Sequence, residues 1–351
     1  MHLPGSYLVL ETTNRCSVAC VHCSVGEAEH PHHDRTGFVT IPLVRKLFAD
    51  LVTARARFDV FIPFWLGEPL LHPDFSTIYQ EALRLAGDHG VFQRLEVHTN
   101  ATHLTGERVK LALNQSPVPQ TWHLTLDATT AATWKAIKGR AAFADVVENV
   151  ERLVKEKARR GAVWPRLVFQ FIVSDRNASE AADFQAYWER ACRQAGLPVR
   201  SAAQDVPPGT DAVVFFRQLD APSPAEQERQ NAVFRSAMER LGIPLPRPTQ
   251  SPTAIAASPG VCGCFWKSPV VGWDGTVTTC TRDNRLENAL GNVGETPFGE
   301  LWCGQRASGW RRRVARGDYT GLAPCQACFI PQSSNYSGIT AAEIAGFGAA
   351  P

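Results

Sequence analysis

No apolar segment in the 351 residues approaches the roughly 20 that a membrane-spanning helix needs. The N-terminus also lacks the basic-then-apolar order of a signal peptide. Both absences lead to the expectation of a cytoplasmic protein with no membrane partner, in a compartment where thiols stay reduced. An excess of one charge is missing as well. The net charge is +2 and no basic stripe accompanies it, so nucleic acid is not expected as a partner. The densest basic run, Arg311-Arg312-Arg313 with Arg316, reads as a solvated helix face. Hydrophobic content of 44% and charged content of 20% are those of an ordinary globular protein. The length exceeds what one compact core usually organises, so a large domain with a smaller appendage is expected.

Against this ordinary background stand ten cysteines, which in a reducing compartment point to metal rather than disulfides. Three fall at 16–23, one at 192 and six between 262 and 328, which suggests two metal sites. The first group reads Cys16-Ser-Val-Ala-Cys20-Val-His-Cys23, a C-x3-C-x2-C spacing just after a short apolar run at 7–10. Close-set thiolates on a tight loop bind a soft metal or an iron–sulfur cluster. Three ligands rather than four is the informative count, because a [4Fe–4S] cube held by three cysteines leaves one iron open. A partial zinc site is the other reading of these thiols.

The rest of the first 203 residues alternates. Strands are expected over 7–13, 60–66, 94–98, 121–126, 167–173 and 199–202. Helices are expected over 42–54, 75–87, 106–114, 143–160 and 179–195. Leu43, Leu47 and Leu51 recur at helical spacing, and Pro42 is accepted in a first turn. The unbroken apolar run at 60–66 suits a strand buried on both faces. Six strands alternating with helices argue for parallel βαβ units, whose right-handed crossovers curl them into a partial (β/α)6 TIM-like barrel. Active sites of such barrels gather at the C-terminal ends of strands, where Glu68, Thr99, Asn100, Asp127, Ser174 and Asn177 fall. Residues 24–40, with Glu27, Glu29, His30, His32 and His33, are polar and irregular, and no regular spacing makes them a metal site.

From 204 to 259 the alternation is expected to stop. Prolines punctuate this stretch around one helix over 225–241, which reads as a bridge or a lid over the barrel mouth. Residues 260–351 form the expected small α+β domain. Alternation around Asp274-Gly275 signals a hairpin of 269–273 and 276–279, with Cys262, Cys264 and Cys280 near its ends and Cys325-Gln-Ala-Cys328 farther on. A zinc ribbon would also suit such a set.

The C-x3-C-x2-C motif resembles the signature of radical S-adenosylmethionine (SAM) enzymes. The resemblance implies an open iron that chelates the amino and carboxylate groups of SAM, and a 5′-deoxyadenosyl radical that takes hydrogen from substrate. Gly67-Glu68, followed by Pro69, resembles that family's GGE-like motif shortened by one glycine, which implies binding of the SAM amino group. His22 holds the position of a backbone contact to adenine. Thr99 and Asn100 resemble the strand-end pair that reaches the SAM ribose or carboxylate, and Ser174 belongs with them. Asp127 opens Leu-Asp-Ala-Thr-Thr…Ile-Lys-Gly, which resembles the family's fourth strand end and the helix after it; a helix N-cap is its plainer role.

The C-terminal cysteines resemble the SPASM extension, or its shorter twitch form, which implies an auxiliary [4Fe–4S] cluster with four protein ligands. Cys280, Cys325 and Cys328 match on pattern, and the fourth is Cys262 or Cys264. Cys262 is favoured by its spacing to Phe265-Trp266. Nothing after Cys328 supplies the further cysteines of the full version, so twitch is the nearer match.

Two [4Fe–4S] clusters and SAM lead to the expectation of a radical SAM oxidoreductase, fed by an electron donor such as flavodoxin or ferredoxin. The outcome is dehydrogenation or, if a thiol returns hydrogen from the opposite face, epimerisation. Cys192, Cys264 and Cys303 are the unassigned candidate donors, although Cys192 on its amphipathic helix also reads as a buried small hydrophobe. Arg140, Arg176 and Arg217 are candidates for an anionic group or a proton. With about fifteen residues before Cys16, no leader-recognition domain is expected there, which favours a small sugar or aminocyclitol-type substrate over a ribosomal peptide. The reading from another class is a non-catalytic zinc or iron–sulfur binding module.

Overall fold

The computed structural model describes residues 6–27, 34–140, 143–245, 261–328 and 339–346. The histidines at 30, 32 and 33 lie outside these residues. In chain order the elements are β1 (Tyr7–Leu10), α1 (Ile41–Thr53), β2 (Phe58–Ile62), α2 (Phe75–His89), β3 (Phe92–Thr99), α3 (Gly106–Ala112) and β4 (Gln120–Thr125). Then come α4 (Ala131–Lys138), α5 (Phe143–Arg160), β5 (Arg166–Val173), α6 (Ala181–Gln194), β6 (Val199–Ala203), β7 (Ala212–Gln218) and α7 (Pro224–Leu241). The C-terminal part holds α8 (Cys264–Lys267), β8 (Val270–Val271), β9 (Thr276–Thr278), β10 (Gly291–Asn292), α9 (Phe298–Cys303), α10 (Gln305–Val314) and α11 (Ala323–Gln326).

The helices form where an apolar stripe and a cap coincide. Thr40 Oγ1 accepts from Leu43 N (3.3 Å) at the start of α1, and Val44, Leu47, Phe48 and Leu51 form its buried face. On α6 the stripe is Ala181, Phe184, Trp188 and Cys192. Trp188 stacks on Phe169 of β5 and Phe184 meets Phe171 at a tilt, at 4.8 and 4.7 Å between ring centroids. Alternate residues of a strand point to opposite faces, so Val168 and Gln170 face away from α6.

Packing divides the chain into two units, residues 1–15, 29–95 and 250–351 in one and 16–28 and 96–249 in the other. In the first the strand order is β10-β9-β8-β1-β2-β3. β1, β2 and β3 are parallel, with Val9 opposite Ile62 and Phe58 opposite Phe92. β8 joins the other side of β1 in parallel, with Val9 opposite Val270, and then turns back through the expected hairpin into β9. In the second unit β4, β5, β7 and β6 are parallel neighbours in that order.

The expected α/β class and its helix–strand alternation are present, with differences. The alternation does not stop at residue 203. Ala212-Val-Val-Phe-Phe is the buried part of a strand that enters between β5 and β6, and its lack of alternation and the Pro-Pro-Gly before it hide it from a periodicity reading. The bridge helix is present as α7. β1 ends at Leu10, and Thr13 makes only an isolated bridge to Phe38. Arg311 is not part of a solvated face. It is 4% exposed and donates to the carbonyls of Phe265 (2.7 Å) and Trp302 (2.6 Å), tying α8 and α9 to α10, and burial pushes its pKa down to about 9.

Candidate active site

In the second unit, the segment carrying Cys16, Cys20 and Cys23 is moored on the end of α4. Ala19 N donates to Lys138 O (2.8 Å) and Val21 N to Ile137 O (2.9 Å). The turn closes on itself through Cys23 N to Cys20 O (3.1 Å) and Gly26 N to Cys23 O (2.8 Å). A side chain at Gly26 would lie 2.4 Å from Cys20 O, so the turn requires glycine. All three thiols are half-buried. Asn100 Nδ2 donates to Cys16 Sγ (3.6 Å) and Ser17 Oγ (3.3 Å), while its Oδ1 accepts from Thr102 N (3.0 Å). Ser17 Oγ also pairs with Thr102 Oγ1 at 2.6 Å.

Beneath this loop lies a buried ion pair that motif reading did not single out. Lys138 Nζ donates to Asp127 Oδ2, and both side chains are enclosed. Burial alone would lower the Lys138 pKa, but Asp127, Cys20 and Cys16 outweigh it and hold it above its ordinary value. Burial pushes the Cys20 and Cys23 thiols up, with the Lys138 charge pulling both part of the way back. His22 is pushed down to about 4 by burial, which keeps its ring neutral near pH 7.

Three expected cofactor contacts take other roles within the unit. Asp127 is no N-cap. It has φ +60, in the left-handed region that Asp tolerates better than most residues, and its Oδ1 accepts from Ile172 N (2.7 Å) while Oδ2 holds Lys138. Thr99 lies on the buried side of β3 with Leu95 and Val97, and its hydroxyl accepts from Ala101 N (3.0 Å). Ser174 is turned to Asn177, whose Oδ1 accepts from Ser174 N (2.8 Å) and Oγ (3.2 Å). These residues shape strand ends, and Asn100 touches the thiol loop itself.

The Gly67-Glu68-Pro69 turn belongs to the first unit. A side chain at Gly67 would lie 2.1 Å from Thr13 O and 2.6 Å from Arg15 O, so the turn packs directly on the backbone that leads into Cys16. Glu68 N donates to Arg15 O (2.8 Å), and Glu68 Oε1 accepts from Leu70 N (3.0 Å) at the start of the short 3-10 helix Pro69–Leu71. Glu11, at the end of β1, accepts from Trp273 N (3.3 Å), and burial pushes its carboxyl up to about 7.

The C-terminal thiols also lie in the first unit. Val261, Phe265, Trp266, Val314 and Leu322 form an apolar cluster around Cys262 and Cys264, with Cys280 and Cys325 against it. Donors point at sulfur here too, Asn288 Nδ2 at Cys325 Sγ (3.5 Å) and Arg282 N at Cys280 Sγ (3.4 Å). Asp283 fixes that loop by accepting from Glu287 N (2.9 Å) and Asn288 N (3.0 Å). Cys264 shares its S–H with the sulfurs of Cys262 and Cys280, which raises its own pKa and lowers that of Cys280.

The remaining candidates are scattered. Cys192 is fully buried on α6, where it packs as a small hydrophobe, and burial pushes its thiol up to about 12. Cys303 is exposed at the end of α9. Arg140 is exposed, and its carbonyl accepts from Trp134 Nε1 (2.9 Å).

Amide donors aimed at cysteine sulfur, at both thiol sets, suit metal-bound thiolates, and so an iron–sulfur group fits the residues present. Comparison with known proteins agrees. A radical SAM superfamily model matches residues 10–184, and the SPASM model, an iron–sulfur cluster-binding domain, matches 262–329. A tungsten-containing aldehyde ferredoxin oxidoreductase cofactor-modifying protein of Pyrococcus furiosus is 23% identical over 324 residues, 88% of this chain and 84% of that protein. Among solved structures, anSMEcpe with bound AdoMet and Cp18Cys peptide superposes with TM-score 0.58 at 14% identity, over 97% of this chain and 96% of that one. SuiB of Streptococcus suis bound to S-adenosylmethionine superposes with TM-score 0.55 at 13% identity, over 87% and 67%. No described helix is long and apolar enough to cross a membrane. With its thiol loop, its TIM-like parallel strands and both domain models in register, this chain belongs to the radical SAM superfamily and carries a C-terminal SPASM iron–sulfur domain.

Proposed function

We propose that the protein is a radical SAM oxidoreductase that takes a hydrogen atom from a small polar substrate, of the sugar or aminocyclitol kind, and completes its dehydrogenation. When bound, a cluster on Cys16, Cys20 and Cys23 together with SAM supplies a 5′-deoxyadenosyl radical. The chain's own residues then have definite tasks. Asn100 orients the Cys16 sulfur, and Lys138 sets a positive charge under the loop. His22 offers its backbone to adenine, and Gly67 and Glu68 receive the amino group of SAM. Cys262, Cys280, Cys325 and Cys328 hold the auxiliary cluster as an electron acceptor, with Cys264 as the neighbouring thiol. A flavodoxin or ferredoxin is the electron donor that suits such a centre.

The observation that carries this reading is the second thiol set, enclosed in apolar side chains and supplied with its own sulfur-directed donors. A substrate radical that gives its electron to an acceptor ends oxidised; without one it ends reduced or inverted. Epimerisation with Cys192 as donor is disfavoured because that thiol is packed away on α6. Peptide modification is the second reading, favoured by the shared fold with anSMEcpe, which has been solved with a peptide.

The test is SAM with a reductant on anaerobically reconstituted protein. 5′-Deoxyadenosine should form, Cys20→Ala should abolish it, and Cys328→Ala should leave uncoupled cleavage. Deuterium carried from a labelled polyol into 5′-deoxyadenosine supports the small-molecule reading, and from a peptide the other. No 5′-deoxyadenosine from any preparation would overturn both.

A further inference from the structure

The polar groups on one face of the second unit's sheet have no part in the site above. Glu96 and His98 alternate along β3 and so share a face, and His123 stands on the neighbouring β4. The Nε2 atoms of His98 and His123 lie 3.8 and 3.9 Å from the same oxygen, Glu96 Oε2. One ligand atom from each of the three residues falls within 4.8 Å of the others. The surroundings are apolar on one side, where Phe215 of β7 meets the His123 ring edge-on at 6.4 Å beside buried Val168 and Val213. This is the face opposite α6, since Phe216 rather than Phe215 packs on Phe184.

We propose that Glu96, His98 and His123 bind one divalent transition-metal ion, with coordination positions left open for an oxygen or nitrogen of the substrate. Two imidazoles and a carboxylate suit zinc, iron, cobalt or manganese and leave such positions. Bonds of about 2.0–2.2 Å bring neighbouring ligand atoms to roughly 3–3.6 Å, so the approaches of 3.8 and 3.9 Å to Glu96 need a few tenths of an ångström of closure, and the widest spacing in the set, within 4.8 Å, needs up to about 1 Å. At 3.8 and 3.9 Å the carboxylate–imidazole approaches are longer than hydrogen bonds. His123 is 6% exposed and its Nδ1 has no hydrogen-bond partner among the described residues. Gln170 of β5 stands against that ring and is the group that would take the Nδ1 proton of a metal-bound His123. The rings of His98 and His123 are stacked, 4.2 Å apart and 9° from parallel, so binding must tilt them out of the stack.

The place on the strand gives the ion a use. His98 lies two residues before Asn100, whose amide reaches Cys16 Sγ (3.6 Å), and two strand residues span about 7 Å. A hydroxyl, amine or carboxylate held by the ion would sit on the same strand that supports the thiol loop. The site stands independently of the substrate proposed above.

Manganese is the probe, because the thiols compete poorly for it. Reconstituted protein with oxidised clusters is titrated with Mn2+ while the free-ion EPR signal is followed. One equivalent should bind and be released by Zn2+. Glu96→Gln, close to isosteric and half-buried, and His98→Ala should each weaken binding about tenfold or more. Absence of saturable binding, or equal binding in wild type and both variants, would overturn the site and leave the SAM chemistry untouched.

Discussion

Lys138 and Asp127 are the side chains whose loss should be felt most directly. Removing one member of an enclosed ion pair leaves the other charge uncompensated, at a cost of about 3–5 kcal/mol. Asp127→Asn is therefore expected to lower the denaturation midpoint strongly, whereas Asp127→Asn with Lys138→Met should recover much of the loss. At this scale the ligands were legible and their supports were not. C-x3-C-x2-C announces itself because three thiols need a fixed spacing to share one metal. Lys138 sits in the last turn of a short helix, where lysine is normally solvated, and nothing local says that Asp127 lies under it. Asn288 is hidden in the same way. Its amide meets Cys325 across 37 residues of chain. For Glu96 and His98 a signal existed, two polar residues alternating with the apolar Leu95 and Val97, but only the fold brings His123 beside them.

Two tight joints govern the elements. Gly67 meets the Thr13 and Arg15 carbonyls with no room for a methyl group, so Gly67→Ala must push the turn off the backbone leading to Cys16. A loss of about 1–3 kcal/mol is expected, with weaker SAM binding by equilibrium dialysis. The second joint is where β1 meets the hairpin behind β8, with Glu11 against Trp273. Its folded carboxyl keeps a proton to about pH 7, while an unfolded one loses it near 4.5. The Glu11 contribution is therefore full below pH 4.5 and lost as pH rises through 7. Glu11→Gln removes that dependence and should stabilise the protein at pH 8 by about 2 kcal/mol more than at pH 5, by urea denaturation at the two pH values. Most elements were readable from apolar periodicity and turn residues. β7 was missed because five apolar residues between loops carry no period that separates strand from linker.

For the whole molecule, chain order and packing order differ. The described residues of 250–351 pack with those of 1–15 and 29–95, and β8 continues their sheet beyond β1. A division at 203 and 259 follows the chain rather than its contacts, and no local pattern reveals that a two-residue strand will pair with one 261 residues earlier. Truncation at 260 would uncover the edge of β1, and the shortened protein is expected to aggregate or to be cleaved rapidly by trypsin, whereas a detachable domain would leave a stable product. The central claim, two iron–sulfur sites of which only the first meets SAM, is tested most directly by EPR of the reduced, reconstituted protein with and without SAM. About eight irons and eight sulfides per chain are expected from two [4Fe–4S] clusters. Adding SAM should change one signal in wild type and Cys328→Ala, and none in Cys20→Ala. Zinc without sulfide, or a SAM response that survives Cys20→Ala, would contradict it.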